Sequence, residues 1–155
     1  MSEKDKNGAV VLAVCISERK GEQKHPVDKV ELRPDWGIVG DAHAGNWHRQ
    51  VSLLGKESVD SLQGKLGDIL LEPGDFAENV LVDGLTLYAL PVGTKLALGN
   101  DAVAEVTQIG KQCHHDCAIR QKAGDCVMPR EGIFVKILSG GKLRPGDTVR
   151  VLCEF

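Results

Sequence analysis

The chain has 155 residues, a formal net charge of −3 and 42% hydrophobic residues. That length fits one domain of ~100–150 residues. Lys and Arg are scattered rather than clustered, which argues against a protein that works by neutralising nucleic-acid phosphates. No apolar run approaches the ~20 residues of a membrane span. Gly is abundant at 18, while there are only 2 Trp, 1 Tyr and 3 Phe, a composition that points to a turn-rich fold with an aliphatic core. The opening MSEKDKN carries both charge signs and no Ala-x-Ala cleavage site follows, so the expected location is the cytoplasm. There the 5 cysteines are expected to be thiols.

Residues 9–16 (AVVLAVCI) form a β-branched, nearly continuous apolar run and predict a buried strand. A polar turn over 17–25 follows. Residues 26–33 (PVDKVELR) alternate, predicting one half-buried strand with Val27, Val30 and Leu32 inward. A loop of small residues around Asp41 and His43 leads to a short strand at 49–54. Residues 56–66 predict a helix: Val59, Leu62 and Leu66 share a face, and Glu57 lies in the first turn, where the helix dipole favours it. Further strands are expected at 80–82, 85–90, 94–98, 102–109, 132–138 and 148–152, separated by turn residues. Asp83-Gly84 is read as a hairpin turn, and Gly140-Gly141 as another turn. Closely spaced strands predict a mainly β barrel or sandwich with one or two short helices, in a single domain over 1–155.

The densest chemistry lies in 110–129, which holds Lys111, Cys113, His114, His115, Cys117 and Cys126. Nearby basic groups favour a thiolate, the form that acts as nucleophile and soft-metal ligand. Two functional readings stand beside simple packing. One is a structural zinc site on Cys113, Cys117 and Cys126 with a histidine, although the C-x3-C-x8-C spacing fits it loosely. The other is a single reactive or cofactor-ligating cysteine. A second constellation, Asp41, His43, His48 and Arg49, has residue types that could bind a divalent metal, but its irregular spacing favours a hydrogen-bonding loop, with a polar wall placing Arg49 toward a phosphate as the functional alternative. Glu78-Asn79 reads as a pair that anchors a loop. Cys15 and Cys153 lie in strands and read as packing residues.

Several stretches in this order resemble the MOSC domain, named for the C-terminal domain of molybdenum cofactor sulfurases. They are GIVGDAHAG, RQVSLL, GDFAENVLVDGLTL, LPVGTKLALG, VTQIGKQCHHDCAI and MPREGIFVKILSGGKLRPGD. The likeness is to the small stand-alone prokaryotic members. It implies a β-barrel and a role with the molybdenum cofactor, a phosphate-bearing molybdopterin, or as a sulfur carrier. It places the sulfur-carrying or molybdenum-ligating role on Cys113, and implies Lys111, Arg49 and Arg130 as cofactor-binding residues. Molybdopterin, a sulfur-donating desulfurase and other cofactor-biosynthesis proteins are the implied partners. Cys117 and Cys126 exceed the single cysteine the general family needs, and could resolve a persulfide or hold a metal such as zinc. The pyridoxal-phosphate domain of full-length sulfurases has no room at this length, so pyridoxal phosphate is not expected. No nucleic acid or membrane partner is implied.

Overall fold

The computed structural model describes residues 9–19, 23–66, 71–110 and 131–153. Within them, eleven strands, one α-helix and one 3-10 turn follow in order. The strands are β1 (Ala9–Ile16), β2 (His25–Val27), β3 (Val30–Arg33), β4 (Gly37–Ile38), β5 (Val51–Gly55), β6 (Val80–Asp83), β7 (Lys95–Leu98), β8 (Ala102–Ile109), β9 (Ile133–Ser139), β10 (Gly141–Leu143) and β11 (Thr148–Cys153). The helix α1 (Lys56–Leu66) follows β5, and the 3-10 turn spans Leu87–Ala89.

The main sheet runs β11-β7-β8-β9-β5-β6-β1, and β1 pairs back onto β11, closing a seven-stranded barrel. Closure removes free sheet edges, so the backbone polar groups of the wall are paired internally. One pair, β5 with β6, is parallel. Parallel neighbours need a long crossover, and α1 lies on that connection. Val59 of α1 packs from outside on Ala13, Cys15 and Leu81. The interior is aliphatic, with Val14, Leu53, Val80, Leu96, Leu98, Val106, Val135 and Ile137 all at 0% exposure. A small sheet, β10-β3-β4, adds Val30, Leu32, Ile38 and Leu143 to the same core.

Three local expectations change. The stretch 26–33 is two strands: β2 pairs with β1, and β3 joins β10 and β4 in the small sheet. Asp83-Gly84 is not a hairpin, because both edges of β6 are already taken by β1 and β5. A following strand would have nowhere to pair, and 85–90 instead contains the 3-10 turn, with Leu87 buried and Tyr88 exposed. Gly141 opens β10 rather than sitting in a turn. Gly140 beside it comes so close to β3 that a Cβ there would lie 2.7 Å from Leu32 O.

Candidate functional site

One end of the barrel collects the polar residues. Here β1 and β8 finish, β6 and β9 begin, and the loop over 39–50 lies alongside. The loop is held where β4 approaches β5. Gly37 has φ of +115°, and a Cβ on it would meet Gln50 O at 2.8 Å, so only glycine fits there. The Gln50 side chain accepts the Ile137 N–H at 2.9 Å, which fixes the far end of the loop to β9.

Within the loop, Asp41 is a buried carboxylate bonded on both oxygens. Oδ1 accepts the Ser17 N–H at 3.1 Å and Oδ2 accepts the His43 N–H at 3.0 Å. The Lys24 ammonium lies 2.8 Å from Oδ1, and both side chains are at 0% exposure. Lys24 also reaches Ser17 Oγ at 3.0 Å and His43 Nδ1 at 3.1 Å. Burial raises the Asp41 pKa, but the Lys24 hydrogen bond and charge, with the two backbone N–H groups, outweigh it. The carboxyl is held below its ordinary 3.8.

Next along the loop, the Trp47 indole donates to His43 O at 2.8 Å. The Arg49 guanidinium lies over the Trp47 ring at 5.5 Å and over the Phe134 ring at 5.6 Å. Its Nε is buried and has no hydrogen-bond partner among the described residues. His48 pairs through Nε2 with Gln108 Oε1 at 2.9 Å, and Thr107 Oγ1 donates to His48 O. Gln108 Nε2 in turn donates to Gly110 O at 2.7 Å, and Gly110 N–H closes onto Gly132 O at 2.6 Å. Gly110 and Gly132 flank the cysteine-bearing stretch of the sequence. The His48 end of the loop is therefore bonded to its stem.

The turn over 72–79 supports the same end. Glu78 is 1% exposed, and its carboxylate accepts the Gly74 N–H at 2.7 Å and the Phe76 N–H at 3.1 Å. Gly74 O accepts the Lys24 N–H at 3.0 Å, and a Cβ on Gly74 would fall 2.0 Å from Lys24 O. Ala77 takes the left-handed conformation, with φ of 62°. Burial pushes the Glu78 carboxyl up to about 7, against the backbone N–H groups that favour its charge. Asn79 bridges strands: Oδ1 accepts the Ser52 N–H at 2.9 Å and Nδ2 donates to Cys15 O at 3.0 Å. The pair anchors a loop, as its place in the sequence implied. Cys15 is buried; burial first and the Glu78 charge second push its thiol up to about 12, so it is a packing residue and no nucleophile.

Of the expected site residues, Arg49 is described. Lys111, Cys113, Cys117, Cys126 and Arg130 lie outside the described residues, as do His114 and His115. The Asp41, His43, His48 and Arg49 set is a hydrogen-bonding loop, and it divides: Asp41 and His43 gather on Lys24, while His48 turns to Gln108. Among the described residues no group of three His, Cys, Asp or Glu side chains is placed to hold a metal. Lys24 was not singled out in the sequence; its partners lie 7, 17 and 19 residues away, and no local pattern marks them. A cleft of about 600 Å³ at the other end of the barrel is lined by exposed Glu31, Asp101, Lys142 and Arg144 with Asp147, away from this face.

A closed barrel with one helix outside and a polar face at the strand ends defines a small β-barrel protein. The MOSC domain family model matches residues 40–150, and the chain belongs to that family. MOSC domains are associated with molybdenum-cofactor-related sulfurase and sulfur-carrier functions. Solved structures share the fold. YuaD from Bacillus subtilis superposes with a TM-score of 0.74 at 19% identity, covering 92% of this chain and 95% of that one. YiiM from Geobacillus stearothermophilus gives 0.72 at 18% identity, covering 94% of this chain and 75% of that one. YiiM from Escherichia coli gives 0.66 at 17% identity, covering 96% and 70%. No curated protein matches the chain. No helix among the described residues is long and apolar enough to cross a membrane.

Proposed function

We propose that the chain, a single MOSC domain over 1–155, is a molybdenum-cofactor-binding or sulfur-carrier protein that works through the Cys113 thiolate. Beyond the family match, the supporting observation is the Gln108 bridge, which bonds the polar loop at His48 to the stem that leads into Cys113. The donor set suits a cofactor with a phosphate. The Arg49 guanidinium lies over the Trp47 and Phe134 rings, and its buried Nε has no acceptor among the described residues. The guanidinium carries further N–H donors in the same plane, which suit an anion. Arg49 would hold the phosphate end, with Lys111 and Arg130 as further basic partners. When bound, the cofactor supplies a metal centre for which a soft thiolate is a suitable ligand.

As a sulfur carrier, the Cys113 thiolate attacks the terminal sulfur of a desulfurase persulfide. A new S–S bond forms, the donor's S–S bond breaks, and the donor leaves as its own thiolate, with no net change in electrons. Incubation with a persulfide-loaded desulfurase should add about 32 Da, one sulfur atom, to Cys113. Protein made in a host with an intact cofactor pathway should co-purify pterin and molybdenum. If Cys113→Ala retains all bound pterin and all bound sulfur, the role of Cys113 fails. Stoichiometric zinc that is lost on replacing Cys113, Cys117 and Cys126 together would replace it with a structural metal site.

A further inference from the structure

The relay from Gly110 to His48 has a direction, and one backbone carbonyl dictates it. Gly110 O can only accept, so the Gln108 amide turns its Nε2–H toward it, at 2.7 Å. The oxygen of that amide, Oε1, then faces the His48 ring nitrogen Nε2 at 2.9 Å. Oε1 accepts as well, so the ring Nε2 carries the proton and donates it. A neutral His48 ring therefore keeps its lone pair on Nδ1. Among the described residues Nδ1 has no hydrogen-bond partner, and His48 is exposed. The ring is also held in place. His48 O accepts from Thr107 Oγ1, and Trp47 meets the imidazole edge-on with centroids 5.8 Å apart. Holding one ring nitrogen through an amide and a main-chain carbonyl is how proteins aim the lone pair of the other.

We propose that His48 Nδ1 is a hydrogen-bond acceptor for a ring N–H of the ligand bound at the polar loop, and that Gln108 is the positioning residue that fixes this tautomer. The proposal rests on the reading of the loop as a cofactor-binding face. Its neighbours support it. The Arg49 guanidinium lies over the Trp47 ring at 5.5 Å, and the same ring packs edge-on against His48. Three consecutive side chains thus form one unit, with a charged donor at one end and a neutral acceptor at the other. A guanidinium takes an anionic oxygen and rejects an N–H, and a lone pair does the reverse. Together they favour a phosphorylated heterocycle whose ring bears an N–H over a heterocycle without that hydrogen. Gln108 acts on this choice through His48. Without the amide the ring can exchange tautomers, and a protonated Nδ1 meets the ligand N–H with another N–H.

Ring-nitrogen ¹⁵N NMR of the intact chain, with the ring neutral, reads the tautomer directly. His48 should show a protonated Nε2 and a lone pair on Nδ1; the reverse overturns the assignment. Gln108→Leu should give a mixture of tautomers, and an unchanged Nε2–H form would remove Gln108 from its role. Titration with guanylate and adenylate tests the acceptor. Both carry a phosphate, but only the guanine ring has a cyclic-amide N–H. The wild type should bind guanylate up to about tenfold more tightly than adenylate. His48→Phe, which keeps a ring against Trp47 but has no lone pair, should lose that preference and still bind inorganic phosphate. Equal binding of the two nucleotides by the wild type, or a preference kept by His48→Phe, overturns the acceptor role alone. If phosphate and both nucleotides fail to bind, the reading of the loop as a site for an anionic ligand fails with it. Failure of the Cys113 reading appears elsewhere, as sulfur and pterin retained by Cys113→Ala, and leaves these readouts unmoved.

Discussion

The loop over 39–50 and the turn over 72–79 each bury a carboxylate at the same end of the barrel, and the two behave in opposite ways. Asp41 has a cation at 2.8 Å and is held below the ordinary carboxylate range. Among the described residues Glu78 has only backbone N–H partners, and it is pushed up to about 7. Both are desolvated, Glu78 more completely at 1% exposure of the whole residue against 7% for Asp41, so deeper burial and the lack of a cation act together. A full opposite charge in contact outweighs desolvation, whereas N–H dipoles offset it only in part. The two carboxylates are linked through the backbone, because the Gly74 that Glu78 clamps is hydrogen-bonded to Lys24.

The largest expected effect comes from breaking the ion pair on one side. Lys24→Met leaves the Asp41 charge buried and unpaired, and should cost about 3–5 kcal/mol in urea unfolding. Adding Asp41→Asn should recover most of that loss; no recovery would mean that Lys24 stabilises through something other than Asp41.

Glu78→Gln comes next. The amide puts an N–H against either the Gly74 or the Phe76 N–H, and should cost about 1–3 kcal/mol. Its pH signature sharpens the comparison. The folded pKa of Glu78 lies above its ordinary 4.5, so its contribution to stability is full below 4.5 and is lost as pH rises toward about 7. For Asp41 the sign reverses: its contribution is present above 3.8 and is lost as pH falls through the lowered folded value. Unfolding free energy measured against pH should show both limbs in the wild type. In Glu78→Gln the decline toward neutral pH should disappear while the acid limb stays.

Arg49→Met should be the mildest change to stability. The methionine keeps contact with Trp47 and Phe134 and removes a buried donor that has no partner among the described residues, so the expected change is under ~1 kcal/mol. Phosphate binding should nevertheless fall. A large loss of stability with phosphate binding intact would make Arg49 a structural residue and leave the loop without its cation.

Much of the barrel was legible before folding. The runs over 9–16 and 102–109 have strand periodicity and match β1 and β8 at both ends. The helix over 56–66 likewise keeps its bounds, since its apolar face and acidic first turn are local signals. The errors fall where pairing decides. Residues 85–90 have strand-like composition, and Asp83-Gly84 is a strong turn signal, but a hairpin needs an open edge and β6 has none. The site was legible to a lesser degree. Glu78-Asn79 was readable as an anchor because its partners Gly74 and Phe76 are close in sequence.

Composition, periodicity and the ordered motifs determined by themselves that this is an aliphatic, turn-rich β protein of the MOSC family, because those properties belong to single residues and near neighbours. They drew attention to the cysteine-bearing stretch and to Arg49. Only the tertiary structure decided that Lys24, read as part of a polar turn, is a buried cation on Asp41, and that His43 parts from His48. Both depend on backbone approaches between distant segments, at Gly37 against Gln50 and at Gly74 against Lys24. Burial and charge pairing arise only when such segments meet, and they set which carboxylate stays charged.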